Sequence, residues 1–362
     1  MIPLVKTNIP PRELLMPELE KIIYSGYVSQ GEQVDLFERA FEKYIGKGNS
    51  LSLNSGTAAL HIALILAGVK PGDEVISTAL TAEPTNVAIK MVGAKIRYAD
   101  IDYNTGNIDP ASVKSKINSS TKAIIVVDYA GTPVNIAEFQ EISKKYNIPV
   151  IEDAAHALGA KYNGKLTGCH FPYTVFSFQA IKHLCTIDGG ILQIQDNDEF
   201  EKGKLIRWFG IDKKLPRLEN NINFQGYKYH MNNVNATIGL VQMTGIINII
   251  DSHVSNGRFF DESLKNISGI ELLNYYPGSE PSYWLYTLKV EDRDGFIKKL
   301  AESGIVASEL HKRSDSHTFL NDFNDELPVM NRFYKRLVHI PCGWWVSRED
   351  RETILRTIKE GW

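Results

Sequence analysis

The sequence predicts an α/β protein: a mostly parallel central sheet sandwiched by helices, followed by a smaller C-terminal α+β domain. Three observations carry this expectation. Between residues 49 and 178, short and continuously apolar strands alternate with helical segments, the pattern of strands buried on both faces of a parallel sheet. Past Phe200 the texture changes to a polar, aromatic loop over 210–230 and then to a long helical stretch. The remaining chain alternates strand and helix on a smaller scale. At 362 residues the chain has room for two domains, taken as a large one over 1–245 with an N-terminal arm and a small one over 246–362.

The elements follow in order. Residues 1–32 are expected to be irregular, because Pro3, Pro10, Pro11 and Pro17 interrupt regular structure. Val34, Phe37, Phe41 and Tyr44 recur at helical spacing and place a helix over 33–45. The run LSLNSGTAALHIALILAGV reads as a short strand, a polar turn at Asn54 to Thr57, and an apolar helix to Gly68. Pro71-Gly72-Asp73 turns into the strand EVIST, then come a helix over 84–92 and the strand KIRYADI. A loop and a helix lead to the strand KAIIVVDY, and a helix over 135–146 leads to the strand IPVIEDA. Thr174 to Phe178 is a short strand, and after Gly189-Gly190 the run ILQIQ is another. A helical stretch over 232–264 is expected to bend near Asp251, and SYWLYTLKV, GFIKKLAESG and REDRETILRTIKE supply a strand and two helices.

Composition excludes several classes. Hydrophobic residues make up 43% and charged residues 23%, enough for a sizeable core. A net charge of −3 argues against a nucleic-acid surface, which needs a basic excess. No apolar run approaches the roughly 20 residues of a membrane span, and MIPLVKTNIPPRE lacks a signal-peptide core. Cys169, Cys185 and Cys342 are scattered, with no CxxC pair; this suits a reducing cytoplasm and supports neither a disulfide framework nor a metal site. The expectation is a soluble cytoplasmic protein with a small-molecule ligand.

Open parallel sheets bind ligands beyond the carboxyl ends of their strands, and three constellations stand there. Ser55-Gly56-Thr57 precedes a helix: Gly56 admits a close ligand, Thr57 offers a hydroxyl, and the helix N-terminus offers amide donors. That is a phosphate cradle or a plain helix cap. Asp153 ends the strand IPVIE, and a carboxylate there needs a partner, either a protonated ring nitrogen, a salt bridge or a cap. Ala155 leaves room for a flat ring, and His156 either contacts a ring substituent or simply packs. Ser177 and Lys182 come third. A desolvated lysine can lose its proton and attack a carbonyl, whereas an ordinary loop lysine stays hydrated. Cradle, acid and lysine together make the set that holds pyridoxal 5'-phosphate (PLP): phosphate on Gly56, Thr57 and Ser177, ring nitrogen on Asp153, aldehyde on Lys182. No GxGxxG, Walker loop or HExxH competes.

Over nearly its whole length the chain resembles the DegT/DnrJ/EryC1/StrS sugar aminotransferases, of the fold-type I PLP enzymes. The resemblance rests on IPLVKTNIP, NSGTAALHIAL, PGDEVIST, VIEDAAHALGA, FSFQAIKHLCTIDGG and GYKYHMNNVNATIGLVQM. It implies that Lys182 carries PLP as a Schiff base, that Asp153 holds the ring nitrogen, that His156 lies near the ring hydroxyl, and that Gly56, Thr57 and Ser177 bind phosphate. It implies a homodimer with shared active sites, in which GYKYHMNN reaches across. Asn232 is then a cofactor contact from the partner subunit, and Lys228 and His230 are candidates for substrate. Many members place an aromatic residue on the ring where this chain has Ala82, so Ala82 is expected at the ring, with Glu83 or Pro84 as possible cover. The stretch ASELHKRSDSH, with His311 and Arg313, either approaches substrate or is a solvated basic loop.

The resemblance implies an aminotransferase that moves an amino group from an amino acid, glutamate in most members, to a keto sugar. A nucleotide-linked 3- or 4-keto-6-deoxy sugar is the leading substrate and a keto-sugar acid without nucleotide the alternative, with the product feeding a polysaccharide or glycosylated metabolite. Members that dehydrate sugars carry histidine where this chain has Lys182, with only His183 beside it, so a PLP-dependent sugar dehydratase is the other alternative.

Overall fold

The computed structural model describes all 362 residues. Helix α1 (Arg12–Ile23) and helix α2 (Glu32–Ile45) lead into β1 (Asn49–Leu53), α3 (Gly56–Leu66), β2 (Glu74–Thr78), α4 (Glu83–Met91) and β3 (Lys95–Ala99). The alternation continues with α5 (Pro110–Lys116), β4 (Thr121–Val127), α6 (Ile136–Tyr146) and β5 (Val150–Asp153). A two-residue hairpin, β6 (Lys161–Tyr162) and β7 (Lys165–Leu166), precedes β8 (Tyr173–Ser177), β9 (Gly190–Ile194) and α7 (Asn197–Arg207). After the 208–232 loop come α8 (Asn233–Met243) and α9 (Ile246–Ser263). The C-terminal part holds β10 (Ile270–Leu272), β11 (Ser279–Glu280), β12 (Tyr286–Val290), α10 (Arg293–Glu302), α11 (Pro328–Arg336), β13 (Leu337–Ile340) and α12 (Arg348–Lys359).

Seven strands form one sheet in the order β1-β9-β8-β5-β4-β2-β3. Only β9 runs against its neighbours, pairing antiparallel with both β1 and β8, while the other pairings are parallel. The register sets Leu53, Gly190 and Ser177 in one row and pairs Asp153 with Val175 in the adjoining strand. The carboxyl ends of β1, β5 and β8 therefore open on the same edge. Apolar side chains fill both faces of the strands, as the continuous runs predict.

Helix α2 anchors β8 from below. Phe37 and Phe41 meet Phe178 at ring-centroid distances of 5.6 Å each, and Phe41 meets Phe176 at 5.2 Å, all edge-on. At the β1 edge, Glu38 is buried against the Arg207 guanidinium at 2.5 Å and also accepts from the Ser52 N–H and hydroxyl. A buried carboxylate oxygen shared by Arg207 and Ser52 ties α2 and α7 to β1. A separate core in the C-terminal part packs Leu288, Phe296, Leu300, Val338, Ile340, Ile354 and Ile358 between β12, β13, α10 and α12.

Three sequence expectations change. Residues 12–23 are helical despite Pro17, because the helix is exposed and the Glu13 carbonyl that loses its partner faces water. The helical stretch 232–264 is two helices meeting at 61°, and the break falls at Thr244-Gly245 rather than at Asp251. Helices α7 and α11 and strand β13 extend the sequence reading. No single helix is long and apolar enough to cross a membrane.

Candidate active site

A cavity of about 410 Å³ opens at the carboxyl edge of the sheet, walled by the ends of β1, β5 and β8 and by the start of α4. Gly56, Thr57, Asp153, His156, Ser177 and Lys182 line it together, and Ala82 and His311 complete the predicted residues on its wall. Glu83 and Pro84 lie on the same wall as Ala82.

The cradle follows from local chemistry. Ser55 caps α3 by accepting from the Ala58 N–H at 3.1 Å. The Gly56 and Thr57 N–H groups, next in the first turn, have no protein partner. A Cβ on Gly56 would sit 3.1 Å from the Ser177 Cβ, so glycine lets the helix start and the end of β8 close to one another. Two open amides and the Ser177 hydroxyl at a helix N-terminus form an anion site.

Asp153 is buried at the end of β5. Its Oδ2 accepts from the Thr85 hydroxyl at 2.7 Å and its Oδ1 from the Ala155 N–H at 3.1 Å. Thr81 and Thr85 hydroxyls are 2.7 Å apart, and since Thr85 gives its proton to Asp153, Thr81 donates to Thr85. Burial pushes the Asp153 carboxyl up, while the Thr85 hydroxyl, the Ala155 N–H and the Lys182 charge pull it down. A cation placed against it would complete the balance.

Lys182 sits in the turn after β8, its N–H donating to the Gln179 carbonyl. Burial lowers its amine to about 7 against the opposing pull of Asp153, so at neutral pH a large fraction carries a free lone pair. Its Nζ rests 3.9 Å from the ring centroid of Trp284. His156 stacks on the same indole at 3.9 Å with an interplanar angle of 17°, and its buried Nδ1 has no partner. Burial, and then the Lys182 charge, hold His156 well below the ordinary histidine range. His311 is lowered to about 4 for the same two reasons.

Four predicted residues lie off this wall. Lys228 and His230 form isolated bridges to Trp208 and Leu53 on the far side of β1, where the His230 ring meets the Trp208 ring edge-on at 4.3 Å. Asn232 caps α8 through the Asn235 N–H. The Arg313 guanidinium is engaged by Asp315 and Asn331. A larger cleft of about 650 Å³ between α2 and α7 holds none of the predicted residues; in it Arg207 pairs with Glu38, Lys204 and Lys214 pair with Glu201, and Lys213 donates to the Gln30 side-chain carbonyl.

Thr81, Thr85 and Trp284 escaped the sequence reading. The two threonines lie four apart in TAEPT, a helical spacing visible in the sequence. Trp284 lies within an apolar strand, SYWLYTLKV, and no local pattern marks it. The wall as a whole fits pyridoxal phosphate: open amides for the phosphate, a buried carboxylate for a protonated ring nitrogen, and a lysine whose amine is free near pH 7.

The comparisons agree. Residues 12–359 match the model of the DegT/DnrJ/EryC1/StrS aminotransferase family. The UDP-4-amino-4,6-dideoxy-N-acetyl-beta-L-altrosamine transaminase of Campylobacter jejuni is 31% identical over 362 residues, covering 95% of each chain. The sugar aminotransferase CalS13 from Micromonospora echinospora superposes with a TM-score of 0.96 at 35% identity, over 100% of both chains. Spr1654 of Streptococcus pneumoniae, solved in a PLP form, superposes with a TM-score of 0.90 at 26% identity over 99% of this chain and 98% of its own.

Proposed function

We propose, from the premise that the chain belongs to the DegT/DnrJ/EryC1/StrS aminotransferase family and is a PLP-dependent sugar aminotransferase, that it carries an amino group from glutamate to a nucleotide-linked 3- or 4-keto-6-deoxy sugar. The observation that carries the reading is the single cavity uniting the open Gly56 and Thr57 amides, Asp153 and Lys182. The relative from Campylobacter, named for a UDP-linked sugar, supports a nucleotide on the substrate. The product would enter glycan synthesis.

When bound, pyridoxal phosphate supplies an aldehyde for the amino group and a protonated ring that takes up the electrons left by the departing α-proton. Gly56, Thr57 and Ser177 bind its phosphate through two N–H groups and a hydroxyl. Asp153 keeps the proton on the ring nitrogen, and Thr85 orients the carboxylate by donating to Oδ2. Lys182 attaches the cofactor and, once released, accepts and returns the substrate proton at Nζ. His156 lies against the site with its Nδ1 available to a ring substituent. Ala82, on the same wall, would offer the ring no aromatic cover, and Glu83 lines the wall beside it.

Substrate contacts are assigned to His311 on the wall and, from a second copy, to Lys228 and His230, with Asn232 reaching the phosphate. That arrangement is a homodimer, and two observations support it. None of Lys228, His230 and Asn232 faces the cavity of its own chain. Tyr24, Tyr27, Leu218 and Ile222 expose large apolar surface on the arm and the 208–232 loop. Arg313, held by Asp315 and Asn331, becomes a substrate contact only by exchanging those partners.

The purified protein is tested by its absorbance spectrum with glutamate and then with keto sugars. The yellow band of bound PLP should bleach with glutamate and return with a nucleotide-linked keto sugar, and not with the same sugar lacking its nucleotide. Bleaching by another donor alone would replace glutamate, and return with a free keto-sugar acid would replace the nucleotide-linked substrate.

A further inference from the structure

Trp284 is delivered to the cavity by an unusual backbone arrangement. It lies at the entry to β12, in the C-terminal part of the chain, yet its indole lies under Lys182. Tyr283 just before it has φ 47°, and Ala130 opposite has φ 54°, both in the left-handed region where bulky residues are strained. Gly131, at φ 99°, has no Cβ; one built there would stand 2.8 Å from the Trp284 nitrogen and 2.9 Å from that of Tyr283. The Ser282 N–H donates to the Gly131 carbonyl and the Leu285 N–H to that of Ala130. The segment 282–285 is thus pressed onto the turn that follows β4, at a cost in backbone strain.

That strain places one side chain. The Trp284 Nε1–H donates to the Ile181 carbonyl at 2.9 Å, which fixes the indole against the residue immediately before the lysine. His156 stacks on the ring, and the Lys182 Nζ rests over it at 3.9 Å from the centroid. A cation over an indole face is attracted by the ring quadrupole, most strongly where water is excluded, and Trp284 is almost fully buried.

We propose that the face of Trp284 is the resting platform of the free Lys182 amine, which it holds whenever the amine is not joined to the cofactor, so that Trp284 is a positioning residue for the proton-carrying lysine. The proposal rests on the functional reading of Lys182. A released lysine has four rotatable side-chain bonds and would otherwise sample much of the cavity. An indole locked to the preceding carbonyl confines it beside the site it must serve. The other titratable groups facing Lys182 are Asp153, His156, His183 and His311. Of these only Asp153 favours the ammonium, so the ring adds a second attraction to a single carboxylate.

The test is the pH dependence of Lys182 labelling by trinitrobenzenesulfonate in the full-length protein stripped of cofactor, read by peptide mass spectrometry. In the native protein the midpoint is expected near 7. The ring favours the charged form, so removing it should lower the midpoint: Trp284→Leu by about half a pH unit to one pH unit, and Trp284→Phe, whose ring attracts more weakly, by less. A change of packing alone would admit water and move the midpoint upward. Midpoints that stay or rise in both variants overturn the platform, and if the leucine variant does not fold, the phenylalanine variant decides. Failure of the underlying reading shows separately, as a native protein that takes up no PLP.

Discussion

The floor of the cavity and its rim are built on different terms. On the floor, Gly56, Thr57, Asp153, Ser177 and Lys182 sit within a few residues of strand ends whose register is fixed by the seven-stranded sheet. Their polar atoms face the cavity, and those of Asp153 are held in place by the Thr85 hydroxyl and the Ala155 N–H. The rim candidates are Lys228, His230 and Asn232 on the 208–232 loop, and Arg313, two residues past the cavity-lining His311. They are engaged elsewhere, Arg313 by Asp315, Asn232 in the cap of α8, and the His230 ring edge-on against Trp208. On the proposed reading a floor residue acts in the chain that carries it, and these rim residues act only if a second copy or a rearrangement brings them in.

The largest expected effect separates the two directly. Lys182→Ala removes both the attachment point and the proton carrier, and glutamate-driven bleaching should slow by about 10⁴-fold or more. Lys228→Ala, on the exposed loop, should leave that half-reaction within about tenfold and act chiefly on the sugar step. Equal losses in the two variants, measured as single-turnover rates, would erase the distinction between floor and rim.

The same contrast explains what could be read in the sequence. Continuous apolar runs specify buried parallel strands, and Asn54-Ser55-Gly56-Thr57 before an apolar helix specifies an open helix start, so the cradle was legible locally. Asp153 and Lys182 stood out because a charged residue at an apolar strand end calls for an explanation. Trp284 was not legible: its place depends on the left-handed backbone at Tyr283 and Ala130 and on the missing Cβ of Gly131, which no periodicity records. The break at Gly245 was misplaced for a related reason, since helical periodicity runs on through both helices and only packing selects the bend. Lys228, His230 and Asn232 carry a signal only with respect to a second chain.

The rim can be tested in trans. Asn232→Ala should lower cofactor affinity by about 10- to 100-fold, the value of a hydrogen bond to a charged phosphate, with a smaller loss of stability from the α8 cap. Co-expressed with Lys182→Ala, it should recover activity. Each mixed dimer then holds one site with an intact Lys182 and an intact Asn232 from the other copy, giving about a quarter of native activity at random pairing. If Asn232 serves its own chain, every site in the mixture keeps a defect and no activity returns. Recovery thus assigns the residue to the partner's site, and its absence confines Asn232 to its own chain.

The smallest effect probes the floor from behind. Thr85 touches Asp153, and its hydroxyl completes a line from Thr81 through Thr85 to Oδ2. Thr85→Val keeps the shape and removes the donor, leaving a buried carboxylate oxygen without its partner. Burial already raises the Asp153 carboxyl and the Thr85 hydrogen bond opposes that rise, so its loss moves the carboxyl further up and weakens the anion that must face a protonated ring nitrogen. PLP affinity, measured by absorbance titration, should fall about tenfold, in line with one hydrogen bond to a charged group. Thr85→Ser, which keeps the hydroxyl, should stay near the native value. If valine binds PLP as tightly as threonine does, the Ala155 N–H alone holds Asp153, and the threonine pair belongs to the packing of α4 rather than to the floor.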